Sequence, residues 1–241
     1  MILHDWPFPH DQPEHFEEYR SFPEDQPHCY ERCVREHRED SRWIAFIDVD
    51  EFLFSPTLRP LPELLAEYED WAGVGVNWVM FGSSGHIKRP NGLVIENYLQ
   101  RTGDPDRNSH MKSIVDPSRV ASCPSSHYFT YTSGHAVDEN KQQLEPGPTS
   151  KSVSFERFRV NHYYMKSAEE AARRFDFGAD RPNTRLQPRM WPLRRPQVFE
   201  RLDRRLNELQ DETILPYLPA LRRAIAARES ERADGRAVRR R

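Results

Sequence analysis

The chain has 241 residues, a formal net charge of −3, and 37% hydrophobic against 30% charged residues. That length suits one large domain or a domain with an appendage, and the small net charge gives no overall signature of nucleic-acid binding. No apolar stretch is long enough to span a membrane, and three cysteines fit a reducing cytosol better than a disulfide framework, so we expect a soluble cytoplasmic protein without a nucleic-acid partner or transmembrane segment.

The first part of the chain gives weak structural signals. Residues 1–27 are rich in proline, histidine and acidic residues, which predicts a loop. They lack the basic segment and apolar core of a signal peptide. A helix is predicted over residues 28–40, with Pro27 near its start.

Residues 43–54, WIAFIDVDEFLF, carry the strongest functional signal. The apolar run 43–47 predicts a strand buried on both faces. Asp48, Asp50 and Glu51 follow at its carboxyl end, where open α/β sheets bind ligands, and strand alternation predicts that Asp48 and Asp50 point the same way. Such a pair forms a hard oxygen site for Mg²⁺ or Mn²⁺, which suits an enzyme with a phosphorylated substrate. The plainer alternative is that these carboxylates cap the following turn.

One helix, four strands and a polar loop are predicted next along the chain. They are a helix at 60–68, a strand at 74–81, a strand at 93–100, a polar loop at 101–111, and strands at 111–115 and 126–131. The tight loop from Gly82 to Gly85 follows the second of these elements. Its glycines allow backbone amides to approach a sugar or phosphate closely, although an ordinary tight turn explains them equally well.

The second half of the chain changes from strand to helix signals. The predicted elements are a polar loop at 138–151, a strand at 153–164, a helix through residue 175, a Pro- and Arg-rich segment at 178–197, and helices at 198–209 and 213–228. Ser167 and Glu170 form a capping box for the first of these helices. The basic tail at 230–241 lacks apolar periodicity, which predicts disorder.

Four sequence blocks in this order resemble glycosyltransferases of the GT-A fold, of the family 2 and family 92 type. The blocks are 43–52 (WIAFIDVDEF), 81–85 (FGSSG), 112–115 (KSIV) and 161–167 (NHYYMKS). The resemblance implies an α/β fold with a GT-A-like (Rossmann-like) mixed sheet flanked by helices. Family members carry nucleotide-binding strands ahead of these blocks, so we expect an N-terminally truncated GT-A domain at 1–177, a helical C-terminal extension at 178–229 and a disordered tail.

The resemblance also implies an activity and a set of binding residues. The activity is metal-dependent transfer of a sugar from a UDP- or GDP-sugar donor to a saccharide or other acceptor, with Mn²⁺ or Mg²⁺ bridging the phosphates. Asp50 would hold the metal, Asp48 would contact ribose or sugar hydroxyls and assist the metal, and His162 would complete the metal sphere. Lys112 would pair with the diphosphate as a compact charge. The alternatives are a His162 hydrogen-bonded under the next helix and a solvated Lys112.

An inverting enzyme also needs a general base for the acceptor hydroxyl, and the resemblance favours inversion. The candidates are Glu96, His127, Asp138 and Glu139, and the sequence does not choose among them. A retaining mechanism needs no such base.

Two other functions compete with sugar transfer. A metal-dependent phosphohydrolase or nuclease would use Asp48, Asp50 and Glu51, but it requires a second metal and more ligands nearby. A truncated, non-catalytic binding domain is the other alternative, and it predicts weak or absent nucleotide binding.

Overall fold

The structure is a computed structural model that describes residues 22–175 and 195–233, with a mixed β-sheet at its centre. The helices within these residues are α1 (Phe22–His37), α2 (Leu61–Leu65), α3 (Val94–Asn97), α4 (Ala168–Phe175), α5 (Pro196–Leu206) and α6 (Leu218–Ala233). The strands are β1 (Ile44–Ala45), β2 (Glu51–Phe54), β3 (Gly73–Met80), β4 (Gln100–Arg101), β5 (Met111–Val115), β6 (Val120–Ser125), β7 (Tyr128–Tyr131), β8 (Ala136–Val137), β9 (Arg159–His162) and β10 (Leu209–Gln210).

The central sheet has the strand order β1-β5-β3-β9-β2, and β8 also pairs with β3. Strand β3 runs antiparallel to β5 but parallel to β8 and β9, and β2 runs antiparallel to β9. The pairs β6–β7 and β4–β10 form two small additional sheets. A curled mixed sheet flanked by helices confirms the predicted α/β class and is consistent with a GT-A-like fold.

Alternate residues of β3 support cores on the two faces of the sheet. Val74 and Val76 pack with Tyr68 and the residues of α2 on one face, together with Phe158 of the segment before β9. Val79 of β3 and Phe81, which follows the strand directly, pack on the other face. Their neighbours there are Ile95, Tyr98, Tyr163 and Ile214. Because residues two apart in a strand share a face, these contacts also fix the face on which each polar residue of β3 and of its partner strands lies.

The strand predicted at 43–47 was wrong in length and in burial. Only Ile44 and Ala45 pair in β1, which forms one edge of the sheet, and Ala45 is exposed. Phe46 is buried against Tyr30 and Phe129, with ring centroids 4.5 Å and 4.9 Å away, whereas Ile47 is 41% exposed. Ile44 and Phe46 thus pack with residues of α1 and β7, whereas Ala45 and Ile47 are exposed.

Three other boundaries differ from the prediction, two of them because a carboxylate binds backbone amides. Residues 93–100 contain the short helix α3, in which Glu96 accepts the amide of Leu93 at 2.7 Å, and only their end joins β4. The strand predicted at 153–164 is confined to β9, because the carboxylate of Glu139 binds the amides of residues 156–158. Helix α1 starts before the predicted residue 28 and includes Pro27. Strand β6 was not predicted.

The capping box at the start of α4 is confirmed. Ser167 Oγ accepts the amide of Glu170 at 3.2 Å, and the carboxylate of Glu170 accepts the amide of Ser167 at 3.3 Å. We expect Ser167→Ala to lower the free energy of unfolding by about 1 kcal/mol, because the amide at the helix start loses its acceptor. Urea denaturation followed by circular dichroism measures this loss, and an unchanged midpoint would contradict it.

The C-terminal helices are also confirmed, with α5 and α6 shifted by a few residues from the predicted ranges. Most of the predicted segment 178–197 and most of the basic tail lie outside the described residues. The predicted division into domains stays a prediction. In the parts of the chain that the structure describes, no helix is both long and apolar enough to cross a membrane.

Candidate active site

Four neighbouring strands place polar side chains on one face of the sheet. Glu51 in β2 lies opposite His162 in β9, so their side chains share a face. Trp78 in β3 packs on the ring of His162, with centroids 4.3 Å apart. Lys112 in β5 lies opposite Val76, two residues before Trp78, and therefore faces the same side. The sheet register alone thus assembles an acid, an imidazole, an indole and an amine.

The segment 46–50 crosses this part of the sheet and carries the two aspartates. The amide of Phe46 donates to the carbonyl oxygen of Ser113 in β5, and Glu51 already pairs with β9. Between them, the amide of Glu51 donates to the carbonyl oxygen of Asp48 at 3.1 Å and closes a turn with the fully exposed Val49 at its tip. The expected strand alternation of Asp48 and Asp50 was therefore wrong, because these residues form a turn.

Asp50 lies between a histidine and an arginine. Its Oδ1 is 3.7 Å from His162 Nε2, and its Oδ2 accepts a hydrogen bond of 2.7 Å from Arg174 in α4. Burial alone raises the pKa of Asp50, but His162, Arg174 and Lys166 outweigh it and hold the pKa below its usual value. Asp50 is therefore an ionised carboxylate, although it is only 8% exposed.

His162 is a buried neutral imidazole. Burial lowers the pKa of His162 to about 4, and the opposing effect of Asp50 only partly offsets it. Its Nε2 faces Asp50, while Nδ1 has no hydrogen-bond partner within the described part of the chain. A neutral imidazole keeps a lone pair on one ring nitrogen, which is the form that binds metal ions.

Asp48 is held by residues from two distant elements. Its Oδ1 accepts a hydrogen bond of 2.7 Å from Gln26 in α1, and Gln26 also donates to the hydroxyl of Tyr30 at 2.7 Å. Its Oδ2 lies 3.1 Å from the amine of Lys112, which is 1% exposed. Lys112 is thus a buried ion-pair partner and not a solvated side chain. Sequence analysis did not identify Gln26, because no local pattern marks a residue of α1 as a partner of Asp48.

Glu51 is the most deeply buried of the three acids. Its Oε2 accepts the amide of Asp48 at 2.8 Å and lies 3.6 Å from the amine of Lys112. Burial raises the pKa of Glu51 to about 7, although Lys112 acts in the opposite direction. Glu51 therefore exchanges its proton near neutral pH, while Asp50 does not.

The pH dependence of folding should report on this acid. A carboxyl whose pKa rises from 4.5 to about 7 stabilises the fold below pH 4.5, and that contribution is lost as the pH rises to 7. Relative to Glu51→Gln, which does not titrate, we expect wild-type stability to fall by up to roughly 3 kcal/mol between pH 4.5 and 7.5. Urea denaturation of both proteins at both pH values measures the difference, in which the contribution of His162 cancels. A pH-independent difference would contradict the assignment.

Trp78 is surrounded by three histidine rings. His110 stacks on it with centroids 5.1 Å apart and planes 14° apart, His127 meets it edge-on at 5.1 Å, and His162 lies at 4.3 Å. The Nδ1 of His127 lies 3.0 Å from the carbonyl oxygen of Met111. Because a carbonyl only accepts, Nδ1 of neutral His127 carries the proton and Nε2 keeps the lone pair. Burial lowers the pKa of His127, which favours this neutral form.

The carboxylates of the other three candidate bases are engaged by other groups of the protein. Glu96 pairs with Arg222 of α6 and accepts the amide of its own helix start. Asp138 Oδ1 accepts the amides of residues 140 and 142 at 2.8 Å and 2.9 Å. Glu139 accepts the amides of residues 156, 157 and 158 and the hydroxyl of Ser154. Of the four candidates, His127 is the one whose ring joins the cluster around Trp78.

The loop at 82–85 is fastened to α5. The amide of Ser83 donates to Asp203 at 2.7 Å, and that of Ser84 donates to Asn207 at 2.8 Å. A Cβ atom on Gly82 would lie 2.4 Å from Asn207 Oδ1, so glycine is needed there for close packing. Gly85 has a φ of 77° and forms the turn, and its amide donates to Ser83 Oγ at 3.1 Å. The amides that sequence analysis expected to face a ligand thus donate to protein atoms.

The residues near Asp50 fit a divalent cation only in part. Asp50 Oδ1 offers a hard oxygen and His162 a neutral nitrogen, a donor pair that suits Mn²⁺ better than Mg²⁺. Among residues 22–175 and 195–233, no group of three or more His, Cys, Asp or Glu side chains is placed to hold a metal ion. A cation here would need further ligands from a bound substrate. The two-metal site of a phosphohydrolase requires more protein ligands than this.

Comparison with known proteins identifies one family. The sequence model of glycosyltransferase family 92 matches residues 1–184. Glycosyltransferase family 92 proteins of Oryza sativa subsp. japonica and Arabidopsis thaliana are 35% identical over 94 residues and 29% identical over 145 residues. These alignments cover 38% and 56% of this chain but only 16% and 23% of the relatives. A relative from Ricinus communis is 32% identical over 99 residues, 36% of this chain and 17% of its own length. The aligned region is therefore less than a quarter of each relative.

Proposed function

Because this chain belongs to glycosyltransferase family 92, we propose that it transfers a sugar from a UDP- or GDP-sugar to a saccharide acceptor, with the help of Mn²⁺ or Mg²⁺. The observation that carries the proposal is the buried pair of ionised Asp50 and neutral His162, 3.7 Å apart. The cationic side chains of Arg174 and Lys112 lie nearby. The pair of carboxylate and imidazole suits a divalent cation and the phosphates that it accompanies.

Each residue of the cluster has a separate proposed task. Asp50 and His162 hold the cation, which when bound stabilises negative charge on the departing diphosphate. Asp48 contacts ribose or sugar hydroxyls and assists the cation, and its partial exposure leaves one side open to a ligand. Lys112 and Arg174 supply positive charge toward the diphosphate, with Arg174 suited to two oxygens at once. Arg174 was not predicted from sequence.

His127 is the proposed general base of an inverting reaction. Its Nε2 would take the proton of the acceptor hydroxyl as that oxygen bonds to the anomeric carbon and the bond to the diphosphate breaks. The support is its neutral form and its contact with Trp78, which also packs on His162. Glu96, Asp138 and Glu139 are bound to other parts of the protein.

The proposed location is the cytosol. Among the described residues, Cys29, Cys33 and Cys123 form no disulfide bond, and Cys123 is buried. Cysteines without disulfide bonds are typical of a reducing compartment.

Calorimetric titration of UDP, GDP and their sugar conjugates, with and without Mn²⁺, tests the proposal. We expect one nucleotide series to bind, and its affinity to depend on Mn²⁺. Incubation of the bound conjugate with a panel of methyl glycosides then tests transfer by release of free UDP or GDP. Absence of binding by every nucleotide would overturn the proposal in favour of a non-catalytic domain, and Mn²⁺-independent binding would overturn the cation site.

A further inference from the structure

A cavity opens on the face of the sheet opposite Lys112. Its volume is about 260 Å³, and its floor is formed by Gly75 of β3 with Met111 and Ser113 of β5. Because Lys112 lies between these two residues of β5, strand alternation turns their side chains away from the cluster that contains Lys112. The walls come from β7 and from parts of the segment 134–147. The volume is smaller than that of pockets for drug-sized ligands and suits a single sugar ring.

Two glycines of β3 shape this cavity. A Cβ atom on Gly73 would collide with the hydroxyl oxygen of Tyr131, and one on Gly75 would lie 2.5 Å from Cδ1 of Leu144. Tyr131 and Leu144 both line the cavity, so larger residues in the strand would displace its walls. The glycines therefore let an aromatic and an aliphatic wall residue rest directly on the strand.

The walls also carry polar groups that can bind a ligand. The hydroxyls of Tyr128 and Tyr131 and the imidazole of His135 make no hydrogen bond to another described residue. Burial raises the pKa of Tyr131, so its hydroxyl stays protonated and can both donate and accept. Phe129 and Met111 add apolar surface beside these groups. Apolar surface with a few polar groups is the usual lining of a small-molecule site.

The charge of the lining indicates a neutral ligand. Among the described residues that line the cavity, none is a lysine or an arginine, and the one carboxylate belongs to Glu145. A nucleoside diphosphate would therefore find no lysine or arginine here and would be repelled by Glu145. The cationic side chains of Lys112 and Arg174 pair instead with Asp48 and Asp50, outside the cavity.

His127 connects this cavity with the cluster around Trp78. It lines the cavity, its carbonyl oxygen accepts Ser113 Oγ at 2.9 Å, and its ring meets Trp78 edge-on with centroids 5.1 Å apart. Ser113 and Trp78 face opposite sides of the sheet, so His127 reaches both sides. A ligand in the cavity therefore lies against the residue that is the proposed general base.

We propose that this cavity binds a neutral sugar unit of the acceptor, with the hydroxyl of Tyr131 as one of its hydrogen-bond partners. This inference rests on the proposed function, because it takes the bound saccharide to be the acceptor. One unit of the acceptor occupies the cavity while its reacting hydroxyl reaches Nε2 of His127. No cation takes part, because Asp50 and His162 lie outside the cavity lining.

Carbon-13 NMR of the wild type, labelled at its methionine methyl groups, tests this binding without a variant. Met111 lies in the cavity floor, whereas Met165 is buried in a separate core with Phe175 and Phe199 and serves as an internal control. With methyl glycosides of glucose, galactose and mannose, and without nucleotide or Mn²⁺, we expect at least one glycoside to shift the Met111 resonance saturably. The Met165 resonance should stay in place. If no glycoside shifts Met111, or if Met165 shifts equally, the proposal is wrong.

The second test is Tyr131→Phe, which keeps the ring beside Gly73 but removes the hydroxyl. We expect the dissociation constant of the glycoside that shifts Met111, and its KM as acceptor, to rise about 2- to 10-fold, with the donor KM unchanged. Tyr217→Phe is the matched control, because it removes a hydroxyl that donates to Ser55 outside the cavity, and it should bind as the wild type does. Unchanged affinity in Tyr131→Phe, or an equal loss in Tyr217→Phe, would overturn the proposal.

The outcomes separate this inference from the proposed function. Sugar transfer to a glycoside that leaves the Met111 resonance unshifted would retain the transferase and overturn the cavity as its acceptor site. A glycoside that shifts Met111 but receives no sugar from any donor that the protein binds would overturn both the acceptor role and the proposed transfer. The cavity would then remain as a saccharide-binding site alone.

Discussion

Replacing Asp50 by alanine is expected to weaken Mn²⁺-dependent nucleotide binding and to slow sugar transfer, each by more than roughly 100-fold. Asp50 Oδ1 forms the proposed two-donor pair with His162 Nε2, so its loss leaves a single imidazole to hold the cation. Loss of a metal ligand itself should exceed the 10- to 100-fold loss that is typical of residues supporting a ligand. Calorimetry with UDP or GDP, together with initial rates of transfer from a labelled donor, measures both effects.

This variant should still fold, so its inactivity will be interpretable. Arg174, the partner that Asp50 leaves behind, has a 38% exposed side chain and can be solvated by water. Asp106→Asn is a suitable control, because Asp106 is exposed in the short 3-10 helix at Pro105–Asn108, and we expect it to match wild type. If nucleotide binding by Asp50→Ala depends on Mn²⁺ as strongly as in the wild type, the cation is held elsewhere.

Glu139→Ala is expected to cause the largest loss of stability, roughly 3–6 kcal/mol in the free energy of unfolding. The buried carboxylate accepts three consecutive amides, from residues 156, 157 and 158, at 2.8 Å, 2.8 Å and 2.9 Å. Removing it leaves these donors without an acceptor, at a cost of about 1–3 kcal/mol each before water enters. A loss of this size is a large fraction of the stability of an ordinary domain.

Chemical denaturation of purified protein tests this prediction. Glu145→Ala provides a control from the same loop region, because Glu145 is exposed, and its effect should stay within about 0.5 kcal/mol. A Glu139→Ala protein as stable as this control would mean that the amides of residues 156–158 find other acceptors. Normal stability combined with lost transfer would restore Glu139 as a candidate base.

Sequence analysis located the acidic block because its signal is local. The change from apolar residues to Asp48, Asp50 and Glu51 within four positions indicates a binding turn whatever the exact strand length. The box of Ser167 and Glu170 is equally local, and the structure confirms it. The error at residues 43–47 arose because an apolar run does not reveal how many sides of a strand are covered.

The partners of the acidic block could not be predicted, because they depend on contacts between distant segments. Arg174 lies 124 positions after Asp50, and Gln26 lies 22 positions before Asp48. No periodicity in α1 or α4 distinguishes these side chains from solvated ones. The role of Glu96 was unresolved for the same reason, since its carboxylate contacts Arg222 of α6.

The crossing segment at 46–50 also bears on the order in which the protein folds. Asp48 and Asp50 gain their cationic partners, Lys112 and Arg174, only after β5 and α4 have been made and docked, and such long-range closures come late and slowly. Until then, Asp48, Asp50 and Glu51 repel one another on a short unpaired stretch of chain. Recovery of nucleotide binding after dilution from denaturant should therefore lag behind recovery of helical circular dichroism, so that ligand binding reports the completed topology.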